Sequence, residues 1–270
     1  MPHEPTETLA FAEKVELGLI LLLALNRMSL RSEVIQRWWP TTQSLDLVEG
    51  AAENVAQAVH QEVCRFVQNE AVITAWEACP DLDCAFRLAS EFASVPTVCL
   101  VLPTRSKWSV LWNNSFLCDG YDSLCRCLTA RHGLTTIHWS AHDGWTSFQS
   151  GATFTHRRRF AERVVERAVH VGQTDGDWDF AMVGEPLPEE DVIGYAARRK
   201  RDRLNEDRVS ALLSRLGAMP WQAEFYTLPQ SRVFVIRREN PPGTIARRSR
   251  ADVLRMGHLG GAANSHRTGQ

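Results

Sequence analysis

Apolar positions recur at spacings of three and four over the first ninety-odd residues and at spacings of two from Pro96 onward. That change of period predicts a helical N-terminal part followed by strands. Residues 8–28 contain the apolar run 17–25 and are predicted as a buried helix. Ser32 caps a short turn that stops at Pro40 after Trp38 and Trp39. A longer helix is predicted from about Ser44, because Val48, Ala52, Val55, Val59, Val63 and Phe66 form one stripe. Pro80 ends that region. Asp81 caps a further helix whose apolar face is Leu82, Ala85, Phe86, Ala89 and Phe92.

Strands are predicted at 98–102 and 108–112, before an Asn113-Asn114 turn. Asp122 or Ser123 starts a helix with Leu124 and Leu128 inward and Gly133 as its C-terminal cap. Strands follow at 134–139 and 145–154, then a hairpin of 168–171 with 178–183. The acids of residues 188–191 and the bases of 198–203 suggest one helix over 188–203, complementing its macrodipole. Asn205 caps another, carrying Val209, Leu212, Leu213 and Leu216. A last hairpin joins 224–228 to 232–238, and residues 240–270 have the composition of a flexible basic tail. The expected fold is α+β. A helical N-terminal layer (1–95) packs on a mixed, mainly antiparallel sheet with further helices (96–239), ahead of the tail.

Composition sharpens this. The chain has 270 residues, 44% of them apolar and 23% charged, enough to bury a core without disulfides or metal. Seven cysteines form an odd set with no framework spacing, which points to a reducing compartment. The run 17–25 is preceded by Glu4, Glu7, Glu13 and Glu16 against a lone Lys14, so the basic start of a signal peptide is missing. It is also shorter than the roughly 20 residues of a membrane span. A cytoplasmic protein with no membrane partner is expected. The formal net charge of −2 divides unevenly: residues 1–156 carry ten basic and seventeen acidic side chains, and residues 157–270 carry twenty and fifteen. Opposite potentials steer encounter, so the acidic part suits a basic protein partner.

Candidate reactive groups are weakly patterned. Cys118, Cys125, Cys127 and His132 lack the close pairing of zinc ligands. His138 and His142 have a helical metal-pair spacing, but in an extended segment they stand about 13 Å apart. Cys118 with His138 and Asp143 could be drawn as nucleophile, base and orienter, without the local signatures of such enzymes. Asp175, Asp177 and Asp179 open like a calcium loop, but Phe180 and Pro186 occupy positions that need Gly and Glu. The arginines at 157–159 and 198–203, with those of the tail, raise nucleic-acid binding. Glu206 and Asp207 oppose it, and nucleic acid is not the expected partner. No metal or cofactor is expected.

The most informative tract runs from Trp108 to Trp145, where Trp108, Trp112, Trp139 and Trp145 are interleaved with turn-borne polar residues. Large rings beside acids are typical of binding surfaces. The partner-binding candidates are Trp112, Asp119, Tyr121, Asp122, His142, Asp143 and Trp145. The alternative is that Trp108, Trp112 and Trp139 alternate into the core while the acids are ordinary turn formers.

Three segments carry a family resemblance: Trp112-Asn-Asn-Ser-Phe-Leu-Cys-Asp-Gly-Tyr-Asp-Ser-Leu124, Gly176-Asp-Trp-Asp-Phe180, and Tyr195-x2-Arg-Arg-Lys-Arg-Asp-Arg-Leu204. Together they resemble proteobacterial immunity-type proteins encoded beside polymorphic or type VI secreted toxins, over about residues 96–238. The resemblance implies a non-enzymatic cytoplasmic protein that neutralises a cognate toxin by covering its active site, and it transfers no catalytic residue. The rival expectations are a small cysteine- or metal-dependent hydrolase using Cys118 or the His138/His142 pair, and a nucleic-acid-binding protein using the C-terminal arginines.

Overall fold

The computed structural model describes residues 33–38, 42–68, 70–117, 121–142, 151–174, 177–228, 232–253 and 255. The helix expected at 8–28 lies outside them. Among the described residues, nine strands form one antiparallel sheet. They are β1 (Ser44–Glu49), β2 (Val72–Ala78), β4 (Val98–Pro103), β5 (Trp108–Asn113), β6 (Thr136–His142), β7 (Gly151–Phe160), β8 (Arg163–Thr174), β9 (Asp177–Val183) and β10 (Arg232–Arg238), in the order β2-β10-β4-β5-β1-β6-β7-β8-β9. A separate small ladder pairs β3 (Phe92–Ala93) with β11 (Arg247–Arg248). Helices among the described residues include α1 (Glu33–Arg37), α2 (Ala52–Phe66), α3 (Leu82–Arg87), α4 (Asp122–His132) and α5 (Glu206–Arg215).

The central strands of the sheet are buried on both faces, whereas β2 and β9 at its two edges are largely exposed. Alternation sends Leu45, Leu47, Leu100, Leu102, Trp108, Val110, Trp112, Ile137 and Trp139 to one side, where α3 and α5 supply Leu82, Phe86, Val209 and Leu213. Val48, Cys99, Val101, Leu111, Phe234 and Ile236 point to the other, beneath α2 and α4. The broad α+β class therefore holds, with strands as its dominant element.

Several expected elements are corrected. Residues 44–49 form the central strand β1, not the first turns of a helix, because Gly50 (φ +145°) breaks the chain before Ala52. Gly50 donates to the Lys107 carbonyl at 2.9 Å and accepts from Ser109 Oγ at 2.8 Å, which ties that break to β5. Val48 thus falls on the helical stripe by coincidence of spacing. β2 was not foreseen, and with β1 it joins a stretch expected to be helical to the sheet of residues 96–239. The 188–203 helix is replaced by two short 3-10 turns, Val192–Ala196 and Lys200–Asp202, since Glu190 and Asp191 bind distant arginines. Residues 224–228 do not pair with β10, which lies between β2 and β4. The start of the expected flexible tail is packed: Ala246 accepts from Ser94, and Val253 is buried. The Ser32 cap and residues 145–150 of the expected 145–154 strand lie outside the described residues, and Phe92, expected on the face of the helix capped by Asp81, belongs to β3. Three terminus signals agree. Asp81 and Asn205 cap α3 and α5, and Gly133 ends α4 in the left-handed region.

No helix among the described residues is long and apolar enough to cross a membrane.

Candidate functional site

A cleft of about 420 Å³ opens where the C-terminal end of α2 and the start of α4 diverge above β4 and β10. Val63, Phe66, Val67 and Ile236 give it apolar walls, and Tyr121, Asp122 and Arg238 give it polar ones. Such a lining, mostly apolar with a few converging polar groups, is the usual make-up of a recognition pocket. Phe66 is 58% exposed at its rim. Arg238 is held in place by a two-pronged pair with Glu70 at 2.5 and 2.6 Å, which keeps the Glu70 carboxyl below its usual range.

The first turn of α4 is positioned from below by Asp46 of β1. Its Oδ2 accepts the Tyr121 backbone N–H at 2.8 Å, and its Oδ1 lies 2.7 Å from His138 Nδ1 and 3.4 Å from Cys125 Sγ. Burial disfavours a charged His138 ring, but the charge and hydrogen bond of Asp46 outweigh it and raise the ring's pKa. The Cys125 thiol is pushed well up by burial and by the same carboxylate. Cys99 and the Tyr121 hydroxyl, hydrogen-bonded to each other, are raised chiefly by burial. An aspartate holding a histidine by Nδ1 is the orienter and base half of a nucleophilic triad. Here, however, the thiol nearest that pair donates to the carboxylate and stays protonated, so the group acts as a closed polar bracket. Arg157 completes the bracket, paired with Asp122 at 2.7 Å and Glu166 at 2.6 Å.

The sequence candidates separate in space. Tyr121 and Asp122 meet at the cleft wall. Trp112 does not join them: it is 1% exposed on the opposite face of the sheet, packed against Phe86 (4.9 Å between centroids), Trp38 and Phe92. Its ring is therefore a core element and not a surface anchor, as are those of Trp108 and Trp139. His142 ends β6 with its side chain outside the described residues, and Cys118, Asp119, Asp143 and Trp145 lie outside them too. His138 and His142 both belong to the extended strand β6, so the helical metal-pair geometry does not arise.

The basic runs are largely engaged with this chain's own acids. Arg157 is buried, Arg199 pairs with Asp202, and Lys200 reaches Asp179. Phe66, Glu70, Arg238 and Asp46 carry no site motif in the sequence. Only Asp46 had a visible signal, an acid set among the strand-forming residues Leu45, Leu47 and Val48.

No protein-family model, curated protein or solved structure matches this chain.

Proposed function

We propose that this chain is an immunity-type protein, a non-enzymatic cytoplasmic inhibitor that binds a cognate bacterial toxin and covers its active site. The observation that carries the reading is the division of labour in the tract bearing the family resemblance. Its Tyr121 and Asp122 face an open cleft beside exposed Phe66, while Asp46, His138 and Cys125 behind them bind one another. An aromatic and an acid at the rim of an apolar hollow suit recognition, where rings anchor and charges set register. The acidic excess of residues 1–156 favours a toxin with a basic, phosphate-binding cleft. Asp119, His142, Asp143 and Trp145 remain part of the proposed surface on the sequence argument.

The test is co-expression with the product of the adjacent gene. Protection of the host and co-purification of the two chains are expected, and Phe66→Asp should abolish both while leaving the circular dichroism unchanged. Absence of both effects with the wild-type chain overturns the reading.

A further inference from the structure

Cys79 and Cys84 flank the turn that links β2 to α3, and their sulfur atoms lie 3.1 Å apart. That separation is about 1 Å longer than a disulfide bond. Cys79 directly follows β2 and is buried, and Cys84 lies in the first turn of α3 and is partly exposed. The backbone holds them together independently of the sulfurs. Asp81 accepts the Cys84 N–H at 2.8 Å, and Leu82 and Phe86 anchor α3 in the core. The other placed thiols for which a partner is known face different groups: Cys99 meets Tyr121, Cys125 meets Asp46, and exposed Cys64 lies 3.4 Å from a ring nitrogen of His60.

We propose that Cys79 and Cys84 are a redox-active dithiol, closing to an intrachain disulfide by exchange with a low-molecular-weight disulfide such as oxidised glutathione. Cys84, the more exposed of the two residues, gives up its proton and attacks one sulfur of the oxidant. The oxidant's S–S bond breaks, and its first thiol leaves with a proton. Cys79 then loses its proton to solvent, attacks Cys84 Sγ and displaces the second thiol. Two protein thiols are thereby oxidised by two electrons, and one small disulfide is reduced to two thiols. The order follows from the environment: burial above all, then its neighbour Cys84, pushes the Cys79 thiol up to about 12, and the thiolate is the attacking species. Cys79 is thus the resolving partner. The bond would tie the end of edge strand β2 to the helix that places Phe86 against Trp38 and Trp112.

The experiment exposes the folded full-length chain to rising oxidised glutathione until Cys64 carries glutathione, followed by acid quench, alkylation and tryptic mass mapping. Cys79 and Cys84 share the tryptic peptide 66–87, which contains no internal Lys or Arg. The expected product is that peptide lacking two hydrogens and bearing neither alkyl group nor glutathione. In Cys79→Ser the reaction should stop at a glutathione adduct on Cys84, and in Cys84→Ser the Cys79 thiol should stay unmodified. A wild-type peptide that carries glutathione on Cys84 beside alkylated Cys79, or alkyl groups on both, overturns the proposal. This readout does not depend on any binding partner.

Discussion

Asp46 in the middle of β1 stands directly opposite His138 of β6 in the antiparallel ladder, and a 2.7 Å hydrogen bond joins them on the face covered by α4. One strand acid thus holds both a neighbouring strand and the start of a helix. Asp46→Ala should cost about 3–5 kcal/mol, because it leaves a buried histidine and the N–H of Tyr121, the residue just before α4, without their acceptor. Asp46→Asn, which keeps an acceptor, should cost less. Urea unfolding of the two variants measures the difference.

The same pair predicts a pH dependence. The folded-state pKa of His138 is raised above its ordinary 6.5. Its contribution to stability is therefore fully present below that value and is lost as pH rises through the folded pKa. The stability gap between wild type and His138→Gln should shrink as pH climbs from 6.5 through the folded-state value. The loss amounts to about 1.4 kcal/mol for every tenfold by which folding strengthens proton binding to the ring. Nuclear magnetic resonance titration of the ring should give a midpoint above 6.5; a midpoint below it contradicts the geometry.

Glu190 and Arg167 form a buried pair on the other face, with side chains 0% and 4% exposed and a 2.7 Å contact. Glu190 also accepts from the Tyr195 hydroxyl and the Leu187 N–H at 2.8 Å each. Removing one partner, as in Glu190→Gln or Arg167→Met, should cost about 3–5 kcal/mol, since the other charge is left buried and alone. The double replacement Arg167→Met with Glu190→Met should recover much of that loss. A double-mutant cycle by denaturant unfolding decides it.

Glu62 of α2 is fully buried and bridges to α4 through Arg131 at 2.5 Å and His132 at 2.9 Å. Burial would raise its pKa, but the bonds from His132 and Arg131 outweigh it and lower the carboxyl below 4.5. Its contribution is present above that pH and is lost as pH falls through the folded value. Glu62→Gln should destabilise the protein by about 1–3 kcal/mol at neutral pH, moderated because Arg131 and Arg65 are half exposed. The difference from wild type should narrow in acid, read by thermal melts at pH 7 and pH 3 or so.

Trp112→Ala distinguishes a core ring from a surface anchor. Surrounded by Trp38, Phe86 and Phe92, the ring leaves a large cavity when removed, and the expected loss is about 3–5 kcal/mol. An anchor exposed to solvent would give a folded, equally stable variant. Denaturant unfolding separates the two.

Much of the architecture was legible along the chain. β4 shows as a short apolar run bounded by prolines and β5 as an alternating one, and the Asp81 and Asn205 caps mark the starts of α3 and α5. β1 was not legible, because Val48 lies four residues before Ala52 and extends the helical stripe backward across Gly50. The 188–203 segment misled for a different reason. Its acids look like helix-start charges, yet Glu190 is drawn into the core by Arg167, which lies more than twenty residues earlier. Of the cleft, Tyr121 and Asp122 were read from the chain, while Phe66 and Arg238 come from elements separated by about 170 residues and meet only in the folded chain.

The local pattern alone determined which segments alternate, where several helices are capped, and that this chain mixes helices with strands, because those properties depend on neighbours within a few residues. Tertiary structure alone decided that β1 is central, that Trp112 points away from Tyr121, and that Asp46 answers both His138 and α4. Strand partnership and facing are set by burying apolar area on two sides of one sheet and by satisfying the polar groups caught there, and both conditions involve residues far apart in the chain.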